Sequence, residues 1–137
     1  MTEYRRPLPV PSPESMPFWE GCRVGEFLLQ RCTACSAINW FPRAFCLVCG
    51  GDRFEWPRAS GTATLETYSI VYRAMNEAWK SEVPYTLAWV RLAEGPRMVT
   101  RLVHDRAVEP VIGATVTLVF EQLDDRFSLP FFRYSVV

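Results

Sequence analysis

Apolar residues recur at every second position in the latter part of the chain. From Thr115 to Glu121 they are Val116, Leu118 and Phe120. A period of two predicts a strand with those three side chains inward. Thr62 to Arg73 is a longer candidate whose phase changes, with Ala63 and Leu65 at odd positions and Tyr68, Ile70 and Tyr72 at even ones. The shift predicts a bulge near Glu66–Thr67, which lets a long strand bend. Tyr85 to Leu92 is apolar on both faces and predicts a central strand. Arg97 to His104 follows a Glu94-Gly95-Pro96 turn. Phe127 to Tyr134 completes the set, and Pro130 marks it as an edge or interrupted strand. Five strands with turn signals between them predict a small closed β-barrel of the OB-fold type.

The first half carries a different pattern. Prolines at positions 7, 9, 11 and 13 predict an extended arm. Pro17 to Val24 reads as a short helix, with Pro17 in its first turn and Gly25 as its C-terminal cap. Its apolar side is Phe18, Trp19 and Cys22. Two helical turns are unstable alone, so that side docks on the same chain or on a partner. Phe27 to Arg31 predicts a strand, and Ile38 to Arg43 places Trp40 and Phe41 in a short constrained segment. Phe54-Glu55-Trp56 leaves that segment, and Pro57 to Gly61 reads as a hinge. The predicted fold is mostly β: arm and helix over 1–25, a metal-pinned ribbon over 26–58, and the barrel over 59–137.

The ribbon assignment rests on cysteines. Cys32 and Cys35 form one Cys-x-x-Cys pair, and Cys46 and Cys49 form another ten residues later. Each pair turns two sulfurs toward one point, and four thiolates complete a tetrahedron around zinc. Iron also takes tetrahedral sulfur sites. Four protein ligands leave no open position, so a structural role is expected. Disulfides need an oxidising compartment, and a thioredoxin-like pair sits between a strand and a helix; neither context is present here.

Composition narrows the function classes. Of 137 residues, 49% are hydrophobic, enough for a core, and no run of 18 apolar residues exists to span a membrane. The first residues lack an apolar signal core, so a cytoplasmic protein is expected. Net charge is zero, with seven basic and six acidic residues in 1–58 and eight and nine in 59–137. That balance argues against a general nucleic-acid binder, which neutralises phosphates with basic residues. The fifth cysteine, Cys22, is a small buried apolar residue by expectation, and His104 is the only histidine. A catalytic Cys-His pair would have to join these two, and nothing local supports it. Trp79, in the connection from Ala74 to Pro84, carries two open readings: contact with a partner, or a loop folded back over the barrel end.

The order of these parts resembles the DUF35 family, a rubredoxin-like zinc ribbon followed by an OB-fold. The carrying motifs are the Phe18-Trp19 helix, Leu29-Gln30-Arg31-Cys32, Phe41-Pro42-Arg43, Cys46-x-x-Cys49-Gly50, Ser60-Gly61-Thr62 and Pro84-Tyr85-Thr86-Leu87-Ala88. The resemblance as a whole covers about Phe18 to Arg133. Leu47 stands where many members have proline after the third cysteine. The resemblance implies a non-catalytic accessory subunit that assembles with a thiolase-like acyl-CoA enzyme and helps bind or channel the CoA thioester. A hydratase or aldolase complex is the alternative setting, and a single-stranded nucleic-acid module is a third. CoA would need an aromatic face, cations for its phosphates and a narrow apolar groove. Trp40, Arg43, Arg58, Arg101 and Arg133 are the candidates. Partner contacts are expected from Phe18, Trp19, Trp79, Phe131 and Phe132, with the apolar Val136-Val137 end as a docked tail.

Overall fold

A computed structural model describes residues 7–135; the Val136-Val137 tail and the first six residues of the arm lie outside the described residues. The arm leads through a 3-10 turn, Pro13–Ser15, into helix α1, Met16–Arg23. Ser15 is buried, and its hydroxyl donates to the Ser12 carbonyl at 3.1 Å. Gly25, at φ +82, reverses the chain after the helix, where the Glu26 N–H returns to the Gly21 carbonyl at 2.8 Å. The buried face is Phe18, Gly21 and Cys22, so this helix docks on its own chain.

Three short antiparallel strands make the ribbon in the order β2-β1-β3: β1 is Gln30–Cys32, β2 Ile38–Asn39 and β3 Phe54–Glu55. The ladder starts later than the predicted Phe27. Over residues 27–29 the chain instead pairs with 57–59, through Leu29 N–H to Pro57 O at 2.9 Å and Ala59 N–H to Phe27 O at 2.8 Å. Phe27 and Leu29 are thereby buried and join ribbon to barrel.

The barrel strands are β4 (Thr62–Val71), β5 (Tyr85–Leu92), β6 (Arg97–Val103), β7 (Thr115–Gln122) and β8 (Ser128–Arg133). They close in the order β4-β5-β6-β8-β7, with β7 returning to β4. Register shifts between Leu65 and Thr67, where the change of apolar phase predicts a bulge. Leu65, Val90, Val116 and Phe132 are fully buried at the centre. Pro130 pairs with Phe120 of β7, whereas β8 meets β6 only at Phe132 and Arg133. The proline, which has no N–H, thus sits where the second ladder is missing.

One expectation is met and one corrected. β5 lies between β4 and β6 as a central strand, with Thr86, Ala88, Val90 and Leu92 inward and Leu87 and Trp89 39% and 42% exposed. A barrel has one interior, and the Arg97 guanidinium, 5.0 Å from the Trp89 ring centroid, lies over part of the outer side. Phe18, Phe131 and Phe132 are buried in the chain itself, at 1%, 8% and 0% exposure, and are not surface contacts. Phe132 fills the barrel, and Phe131 faces the other way, under α1 and the Trp40–Phe41 segment. Among the described residues no helix is long and apolar enough to cross a membrane.

Candidate metal centre and the hollows around it

The four cysteine sulfurs lie within 4.8 Å of one another. Cys32 and Cys49 sulfurs are 3.5 Å apart, and Cys35 and Cys46 sulfurs 3.6 Å. Tetrahedral zinc with bonds of about 2.3 Å needs sulfurs about 3.8 Å apart. Two similar turns produce this geometry. In the first, Ser36 N–H reaches Cys32 O at 2.9 Å and Cys32 N–H reaches Ala37 O at 2.9 Å. In the second, Gly50 N–H reaches Cys46 O at 2.9 Å and Cys46 N–H reaches Gly51 O at 2.8 Å. Positive φ at Ser36 (66°) and Gly50 (76°) closes each turn.

Backbone donors already face the sulfurs: Val48 N–H to Cys46 and Gly51 N–H to Cys49, each at 3.4 Å. A Cβ at Gly51 would stand 3.3 Å from the Cys49 sulfur and 3.5 Å from that of Cys32, so glycine keeps the cradle open. The Cys49 N–H above all, and with it the Val48 N–H, pull the Cys46 thiol down to about 6 against the effect of burial. The Cys35 N–H lowers Cys32 against the same opposition. At Cys35 the Ala37 N–H favours the thiolate, but burial and the three neighbouring sulfurs outweigh it and push the thiol up to about 12. Such crowding of sulfurs is relieved by a divalent cation at their centre. The donor set fits a closed structural metal site.

Gln30 ties the segment between the turns to β1. It is buried; its Nε2 donates to the Arg43 carbonyl at 2.7 Å and its Oε1 accepts from Arg43 N–H at 2.9 Å. Trp40 is half-buried, stacked on Phe27 at 5.5 Å and edge-on to Phe18 at 5.3 Å. It lines a cleft of about 200 Å³ between ribbon and barrel, together with Trp19, Phe41, Met98 and Phe131. Arg43 lines a different hollow of about 430 Å³ with Gln30, Asp52 and Trp56.

Arg101 lines a third cavity, of about 360 Å³, at the barrel mouth beside Tyr85, Thr86, His104 and Glu121. It pairs with Glu82 and lies 5.2 Å from the Tyr85 ring centroid. Arg58 is exposed beside its bridge to Leu28, and Arg133 is exposed at the end of β8. Three candidates thus open onto three different hollows. Trp79 is half-buried, 6.2 Å from Tyr85, so its loop folds back against the barrel mouth. Trp19 is half-buried between Phe18 and Phe127, at 5.0 and 5.9 Å.

Cys22 is buried, and desolvation raises its thiol to about 12, against a weaker pull from the backbone. A thiol so placed is a poor nucleophile. His104 Nδ1–H donates to the Asp105 carbonyl at 2.9 Å, leaving Nε2 to accept from the Thr86 hydroxyl at 2.8 Å. Gln30, Asn39 and Gly51 are the site residues that sequence reasoning missed. A polar side chain inside a short ribbon strand is the one hint the chain offered, and it does not distinguish a buried clamp from a solvated residue.

The family model for the ChsH2 rubredoxin-like zinc ribbon domain matches residues 19–55, and that for the ChsH2 C-terminal OB-fold domain matches residues 56–121. A Thermomonospora curvata protein named "Probable enoyl-CoA hydratase alpha subunit" is 31% identical over 96% of this chain, which spans 40% of that relative's length. A Methanocaldococcus jannaschii "DUF35 domain-containing scaffold protein" is 29% identical over 76% of this chain and 71% of its own. A chain in the solved structure of an "Ltp2-ChsH2(DUF35) aldolase" superposes with a TM-score of 0.83 at 30% identity, over 94% of this chain and 100% of that one.

Proposed function

The chain belongs to the ChsH2 family of DUF35 zinc-ribbon and OB-fold proteins, and we propose that it is a non-catalytic accessory subunit of a thiolase-like acyl-CoA enzyme. The observation that carries the accessory role, whichever enzyme the partner is, is the match, over 94% of its length, to a chain of the Ltp2-ChsH2(DUF35) aldolase. The relative named as a scaffold protein supports the same role. The partner supplies the nucleophile; this chain holds the complex together and helps guide the CoA thioester. The narrow apolar cleft at Trp40 and Phe131 suits a pantetheine arm, and Arg101 or Arg43 suits a phosphate. Trp19 and Trp79, each half-buried, are the remaining partner-contact candidates. Zinc is the metal assigned to Cys32, Cys35, Cys46 and Cys49. The division at residues 25 and 58 separates helix, ribbon and barrel in this scheme.

A second reading places the chain in a hydratase or aldolase complex, favoured by the names of the Thermomonospora curvata relative and of the Ltp2-ChsH2(DUF35) aldolase. Tagged chain co-expressed with its genomic neighbours, followed by mass spectrometry of the purified complex, separates the two. A thiolase-like subunit in stable stoichiometry supports the first reading, and a hydratase-like or aldolase-like subunit supports the second. A clean monomer that captures neither rejects both.

A further inference from the structure

Asn39 lies inside the ribbon with 3% of its surface exposed. Its Oδ1 accepts from the Leu47 backbone N–H at 3.0 Å, on the second cysteine turn. That donor fixes the orientation of the amide, because only its oxygen can accept. Nδ2 is then buried with no satisfied hydrogen bond among the described residues. Folded proteins seldom leave a buried donor without a use. The Leu47 N–H that holds Oδ1 belongs to the residue after Cys46, so the amide lies against the turn that carries the Cys46 sulfur. A thiol is a weak acceptor, but a metal-bound thiolate keeps negative charge and takes N–H donors well. Val48 N–H faces the same sulfur at 3.4 Å.

We infer that Asn39 is a positioning residue of the metal centre: Nδ2–H donates to the metal-bound Cys46 thiolate while Oδ1 holds the Leu47 N–H. One side chain then orients a ligand and braces the turn that carries it. The inference rests on the reading that the four cysteines hold a metal. Outer contacts of this kind change metal affinity by about 10- to 100-fold.

The test uses the full chain and two variants. Asn39→Asp keeps an oxygen for Leu47 N–H but removes the donor; Asn39→Leu removes both. Zinc affinity is measured by competition with a chromophoric chelator, and sulfur-to-metal charge transfer is read in the cobalt-substituted protein. Asn39→Asp is expected to bind zinc about 10- to 100-fold more weakly. Its charge-transfer band should move to lower energy, since the thiolate loses a hydrogen bond. Affinity within about 3-fold of the parent with an unmoved band would reduce Asn39 to a structural brace. Should the variants fail to fold, the parent protein loaded with cadmium-113 decides the question. A scalar coupling from the metal to an Asn39 side-chain amide proton supports the assignment, and its absence overturns it. A parent protein that binds neither zinc nor cadmium refutes the metal reading itself, which is a different result from a loaded parent with an indifferent variant.

Discussion

Replacing Phe18 separates a core role from a docking role. The ring is 1% exposed and has four aromatic neighbours, with centroids at 5.0 Å (Trp19), 5.6 Å (Phe27), 5.3 Å (Trp40) and 5.3 Å (Phe41). Those neighbours come from the helix, the ribbon entry and the segment between the cysteine pairs, so one side chain joins three parts of the chain. Phe18→Ala removes the ring from a packed site and should cost about 3–5 kcal/mol. Phe18→Leu keeps most of the buried area but loses the edge-to-face geometry, so it should cost about 1–2 kcal/mol. For a chain of this size the alanine variant should melt about 10–20 °C lower. The assay is urea unfolding of the metal-loaded protein followed by tryptophan fluorescence, with Trp19 and Trp40 reporting on the joint. Helix α1 has eight residues and cannot persist undocked, so native helical circular dichroism should fall with it. An alanine variant within about 1 kcal/mol of the parent, with its helix intact but partner capture weakened, would refute the argument and return Phe18 to the surface.

Other outcomes follow from single features of the fold. Freshly purified protein should contain about one equivalent of zinc; less than about half an equivalent of zinc plus iron would count against the four-thiolate site. Cys46→Ser should lose the metal and disorder the ribbon while the barrel keeps its strand circular dichroism. Glu66 bonds to Arg91 and Arg97 at 2.7 and 2.6 Å, and although desolvation opposes them the two guanidiniums hold its carboxyl below the ordinary range. Its folded pKa is therefore below the unfolded one, so its contribution is present above about pH 4.3 and is lost as pH falls through the folded value. Glu66→Gln should flatten the acid limb of a stability–pH curve and leave its neutral limb unchanged in slope. Gly21→Ala, which by helix propensity alone should stabilise by about 1 kcal/mol, should instead destabilise by about 1–3 kcal/mol in denaturant melts. A Cβ there would meet the Glu26 carbonyl at 2.7 Å and Leu28 Cγ at 2.9 Å.

By itself the sequence determined the features that depend on near neighbours. Cys-x-x-Cys spacing is a local turn geometry, and both turns formed as the spacing requires. The change of apolar phase at Glu66–Thr67 is a local count, and the bulge lies there. Pro130 lacks an N–H wherever it sits, and the missing ladder with β6 surrounds it. Only tertiary structure decided what covers each surface. Phe131 and Phe132 point to opposite faces of one strand, yet both are buried because α1 and the Trp40 segment roof the outer side of β8. Leu87 and Trp89, equally apolar, stay partly exposed on β5. Gln30 and Asn39 became clamps because distant backbone groups, at Arg43 and Leu47, came within reach of them. Periodicity sets where a side chain points; burial and hydrogen bonding depend on what else arrives there, and that is fixed by packing between segments far apart in the chain.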